Sequence, residues 1–73
     1  DYSLPHQSNV NIIIFDILGK TVRTIEVGNQ KAGYHSIKWD GSDAGNLPAA
    51  SGIYFYQLIA GNFRQTRKMV LLR

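Results

Sequence analysis

Cysteine is missing from this chain of 73 residues. Its absence removes disulfide staples, thiolate metal sites and a cysteine nucleophile, and leaves the compartment open. No apolar run approaches the ~20 residues of a membrane helix, and the opening "DYSLPHQ" has no basic stretch followed by an apolar one, so it is not a signal peptide. Nor do apolar residues recur at helical spacing over three turns, which excludes an amphipathic helix as the organising element. Charge is sparse: eight Lys and Arg against five Asp and Glu give a net +3. Nucleic-acid binding calls for a dense basic stripe on a recognisable module; here the basic residues are scattered, and no nucleic-acid partner is expected.

What remains is β-rich. Glycine recurs at positions 19, 28, 33, 41, 45, 52 and 61, and such spaced turn signals between short β-branched and aromatic runs predict an all-β sandwich or barrel. "YSL" (2–4) is a short extended start, closed by Pro5. "NVNIIIF" (9–15) alternates Val10, Ile12 and Ile14 on one face with Asn11, Ile13 and Phe15 on the other. "DILGK" (16–20) turns the chain, "TVRTIEV" (21–27) returns antiparallel, and "GNQKAG" (28–33) is loop. "YHSIKW" (34–39) is a strand whose His35, Ile37 and Trp39 share a face. "DGSDAGNLPAASG" (40–52) is the longest loop. "IYFYQLIA" (53–60) is apolar on both faces and therefore central. Gly61-Asn62 is a two-residue hairpin signal, and 63–72 pairs back. These segments predict one immunoglobulin-like antiparallel β-sandwich of about six to seven strands over residues 1–73. Its core is Val10, Ile12, Ile14, Ile37, Trp39, Tyr54, Tyr56 and Leu58. Gly19, Gly33, Asp40, Gly41, Gly52 and Gly61 are structural turn residues, and Ile17 and Leu18 are expected to cap the open end. The close, "RQTRKMVLLR" (64–73), reads as a strand that ends buried, unlike the polar tail of most domains.

Candidate chemistry is thin. Asp40, Asp43 and Asn46 lie close together, but an EF-hand needs oxygen ligands at alternate positions, Gly at the sixth and a closing Glu. The stretch lacks that spacing, and its residue types are those that tight turns select. His6 and His35 have no ligand-spaced neighbours, so no metal or other cofactor is expected. No serine sits in a G-x-S-x-G setting that would support a hydrolytic triad, and the chain is not expected to be an enzyme. Tyr34, Trp39, Tyr54 and Tyr56 suit either a core or a sugar-stacking platform; core packing is favoured in so small a sandwich.

Taken in order, "YSLP", "VNIIIFDILGKTVRTIE", "AGYHSIKWDGSDAGN" and "ASGIYFYQLIAGNFRQTRKMVLLR" resemble the type A C-terminal sorting domain of type IX secretion cargo. They equally resemble the related immunoglobulin-like domain of flagellar hook-capping proteins. The sorting resemblance implies that Lys68, Met69, Val70, Leu71, Leu72 and Arg73 form a signal read by secretion machinery proteins at the outer membrane. It also implies a domain at the end of a larger exported protein, secreted or held at the cell surface. The Tyr-Pro-Asn-Pro-like segment that usually opens family members is missing. The short first strand therefore leaves an edge that the upstream domain of the same polypeptide, or self-association by strand addition, would complete. The leading expectation is a non-catalytic sorting and attachment module. The alternatives are a structural assembly module, such as a hook-capping-like adaptor or a self-associating filament subunit, and a carbohydrate-binding module.

Overall fold

The computed structural model describes residues 2–72. Six strands follow one another: β1 (Tyr2–Leu4), β2 (Ser8–Asp16), β3 (Thr21–Gln30), β4 (Gly33–His35), β5 (Gly52–Ala60) and β6 (Phe63–Leu71). They form two antiparallel layers, a four-stranded sheet in the order β3-β2-β5-β6 and a two-stranded sheet of β1 and β4. The architecture is an immunoglobulin-like β-sandwich.

Strand alternation explains the core. The inward residues of β2 (Val10, Ile12 and Ile14) stand in register with Ala60, Leu58 and Tyr56 of β5. Paired residues of an antiparallel ladder share a face, so these rows build one apolar sheet surface. Val10, Ile14 and Leu58 are its most enclosed side chains, each worth about 1.5–3 kcal/mol on burial. Tyr2 and Leu4 of β1 press onto it from the second layer. β5 is central, as its two apolar faces require, and is hydrogen-bonded to β2 and β6 along its length.

β3 runs three residues further than the sequence suggests, through Gly28 to Gln30. Two register shifts against β2 make this possible, one between Val10 and Asn11 and one between Ile14 and Phe15. Each leaves an extra residue on β3, and both extras, Val22 and Val27, pack against the core. At the other hairpin Gly61 has φ +60°, the left-handed backbone that a two-residue connection demands and that glycine adopts at least cost.

Four expectations need correction. Residues 36–39 are not strand: β4 stops at His35, and the ladder that would hold it is only three residues long, Tyr2↔His35 to Leu4↔Gly33. An alternating pattern becomes a strand only where a partner supplies hydrogen bonds. Ile37 consequently lies at the rim of the sandwich, 36% exposed, instead of in the core. Ile17 and Leu18 cap nothing; they are 66% and 90% exposed, carried outward at the tip of a turn. Asp16 fixes that turn by accepting the Leu18 and Lys20 N–H groups at 3.0 and 2.9 Å. Finally, β6 is an edge strand, not a buried one. Met69 and Leu71 lean on the core, whereas Val70 and Leu72 are 60% and 84% exposed.

Candidate functional site

The long loop between β4 and β5 closes one end of the sandwich, and three side chains hold it there. Arg23 projects inward from β3, in register with Ile14. Its Nη1 donates to Ser42 Oγ at 2.6 Å, to the Asp43 carbonyl at 2.9 Å and, more weakly, to Asn46 Oδ1 at 3.4 Å. The Ala44 N–H adds a bond to the Val22 carbonyl at 3.0 Å, using a group that the β-bulge has freed from the ladder. Trp39 lays its indole edge-on to Tyr54, ring centroids 5.3 Å apart, and donates Nε1–H to the Ser42 carbonyl at 2.8 Å. Tyr54, near the start of β5, donates its hydroxyl to the Ala50 carbonyl four residues upstream at 2.6 Å. A tyrosine bonding back to the chain as it enters a strand is the tyrosine corner of immunoglobulin-like sandwiches. Sequence reasoning missed it, although the Tyr directly follows the loop's last glycine and one strand residue.

The acidic residues of the loop serve its own backbone. Asp43 Oδ1 accepts the N–H groups of Gly45 and Leu47 at 2.9 and 3.0 Å. Asp40 Oδ1 accepts both the N–H and the hydroxyl of Ser42. Asn46 takes φ +63°, a conformation that asparagine tolerates better than most side chains. Among the described residues no group of three or more His, Asp or Glu is placed to hold a metal ion.

The Ser42 hydroxyl, then the Ser42 N–H, hold the Asp40 carboxyl below the usual carboxylate range, with the Arg23 charge a smaller cause. A depressed native pKa means that this anchorage is intact above the ordinary value of about 3.9 and is lost only as pH falls through the lower native value. An NMR carboxyl titration should show the Asp40 midpoint below the ordinary aspartate range. In Ser42→Ala the midpoint should move up toward the ordinary value; an unchanged midpoint would remove the hydroxyl as the cause.

Between the sheets Tyr2, Ile12, Ile25, Trp39, Tyr56 and Met69 line an apolar cavity of about 110 Å³. Ligand sites run to about 300–1,000 Å³, so this is a gap left by a two-stranded layer over a four-stranded one. The aromatic residues named in the sequence divide between core and surface. Trp39 and Tyr54 pack against each other and the core, and Tyr34 stands apart, 91% exposed. His35 stacks on Tyr2 at 5.5 Å, and its Nε2 lies 2.6 Å from the Lys31 carbonyl. His6 is exposed, with Ser8 Oγ bonded to its carbonyl. No helix of the described residues is long and apolar enough to cross a membrane.

Of the residues proposed as a sorting signal, Lys68–Leu71 lie on β6. Leu72 follows it, and Arg73 lies outside the described residues. Lys68 and Val70 face away from the core and Met69 and Leu71 toward it, so the segment offers no continuous surface on one side. The turn residues fall between strands or at their ends: Gly19, Gly33, Gly41 and Gly61 with φ between +60° and +124°, and Gly52 at +154°.

Two layers, a bulged strand and a tyrosine corner define an immunoglobulin-like domain with a packed loop end. The family model of the FlgD Ig-like domain matches residues 1–62, and the chain belongs to that family. Over 53 residues it is 36% identical to the basal-body rod modification protein FlgD of Salmonella typhimurium and 40% identical to that of Escherichia coli. Those 53 residues are 73% of this chain but 23% of each relative, so the chain spans about a quarter of their length. The match ends one residue before β6, and the sorting reading of 68–73 draws no support from it.

Proposed function

We propose that the domain is a non-catalytic structural module of protein assembly, of the hook-capping kind, working as one part of a longer protein. The family match over residues 1–62 carries the reading. It fits a fold whose polar side chains Arg23 of β3 and Asp40, Asp43 and Asn46 of the loop are engaged in holding the loop. On this reading the partners are components of an extracellular assembly, and the location is the cell exterior. Sorting through the outer membrane is the competing account.

Val70 and Leu72 separate the two, because they are exposed on an edge strand and its continuation and can be changed with little cost to the core. A parent protein carrying Val70→Asp and Leu72→Asp should be exported normally and enter its assembly. Removing residues 2–72 in frame should leave export intact and abolish assembly. Retention of the folded double variant inside the cell would overturn the assembly reading in favour of a terminal signal. Loss of residues 68–73 is a poorer test, since it removes part of a paired strand and must be accompanied by a folding control.

A further inference from the structure

The outer face of the four-stranded sheet, turned away from the core, has apolar residues along its centre and opposite charges at its two edges. Phe15 and Phe55 pair across β2 and β5 and stack with centroids 5.8 Å apart. Ile13 and Ile59 extend the strip, and all four side chains stay partly exposed. The register sets the edges. Glu26, Asn11, Ile59 and Arg64 form one row across β3-β2-β5-β6, and Thr21, Phe15, Phe55 and Lys68 form another. The acid and the base of the first row stand three inter-strand spacings apart, roughly 14 Å, too far to pair within one molecule.

We propose that this face binds a second copy of the same chain, sheet against sheet, about a two-fold axis parallel to the strands. That rotation reverses the order of strands and keeps each row over itself. Glu26 then meets the partner copy's Arg64 twice, Lys68 lies over Thr21, and the two phenylalanine pairs close the centre. The other in-plane axis, perpendicular to the strands, sets β6 over β6 and brings Arg64 toward Lys68, which like-charge repulsion disfavours. Two sheets packed in this way sit about 10 Å apart with strands within about 30° of each other, so the row-over-row match survives the twist near the centre.

Area sets the strength. A face four strands wide and nine residues long is roughly 19 Å by 30 Å, ~570 Å² per copy. A standard interface takes about 800 Å² from each partner. The dimer is therefore weak, populated at high micromolar to millimolar concentration or where a larger assembly concentrates the domain. This inference does not depend on the assembly function: it concerns the 73-residue chain by itself.

Sedimentation equilibrium across a concentration series up to about 1 mM tests it. The weight-average mass should rise from one chain toward two. Phe55→Lys, on the outer face, should remain folded by circular dichroism and stay monomeric. Glu26→Arg and Arg64→Glu should each lose association at least tenfold. Mixed together they should recover it as a heterodimer, because each new charge then faces its opposite. A wild-type chain that is monomeric at every concentration overturns the proposal. So does association that survives Phe55→Lys, or a mixture no tighter than its components, either of which would put the contact elsewhere, as strand addition at the β1–β4 edges would.

Discussion

Tyr54→Ala is expected to cost about 3–5 kcal/mol, the range for removing a large aromatic from a core. A domain of this size has about 4–11 kcal/mol in total, so the variant loses a large share of it and its Tm should fall by more than about 10 °C. The size of the effect follows from what the side chain does at once. It fills the core beside Asp16 and Met69, meets the Trp39 indole edge-on and bonds the Ala50 carbonyl. Tyr54→Phe separates these roles. It keeps the ring and removes only the hydroxyl, for about 1 kcal/mol, a fall in Tm of about 4–8 °C for a domain of this length. If the Phe variant were as unstable as the Ala variant, the hydrogen bond and not the packing would dominate. If Ala cost less than about 1 kcal/mol, the tyrosine corner would not be holding the loop.

Trp39→Ala is expected to cost about 3 kcal/mol, the low end of the aromatic range because the indole is only partly buried. The loss should show in the urea midpoint with little change in m. Trp39→Phe should recover most of it, giving up chiefly the bond from Nε1 to the Ser42 carbonyl. A Trp39→Ala domain with unchanged stability and lost glycan binding would reverse the assignment and make the indole a recognition surface. Arg23 is coupled to this result, since Ser42 is gripped from both sides, by Arg23 at its hydroxyl and by Trp39 at its carbonyl. Replacing both should therefore cost less than the sum of the single changes if loss of either already frees the loop.

Local chemistry was readable wherever one segment settled its own conformation. Alternation along 9–15 set which side chains face inward, because the strand period is two and cannot slip without turning the whole set around, and the apolar character of both faces of 53–60 made that strand central. Gly61-Asn62 and Asp16–Gly19 declared turns through glycine's tolerance of positive φ and the aspartate's bonds to nearby N–H groups. The order Asp40, Ser42, Asp43, Asn46 announced a loop held by its own side chains. These came from the sequence alone, as did the fold class.

The tertiary structure decided everything that depended on a partner distant in the chain. Ser36–Trp39 alternates as well as any strand in the molecule, yet the length of the β1 ladder, not its own pattern, ended β4 at His35 and put Ile37 at the rim. The apolar run of 69–72 looked buried, but a strand at the edge of a sheet has its core on one side only, so Val70 and Leu72 face outward. Bulges on β3 turned Val22 inward and freed its carbonyl for the loop, and no periodicity announces an extra residue. Arg23 shows the difference most plainly. In sequence it is one of eight scattered basic residues; in the folded chain its register opposite Ile14 aims it at a loop about twenty residues away. Side-chain facing is a local property with a fixed period, whereas pairing and enclosure belong to the whole sheet and arise only when the strands have found their neighbours.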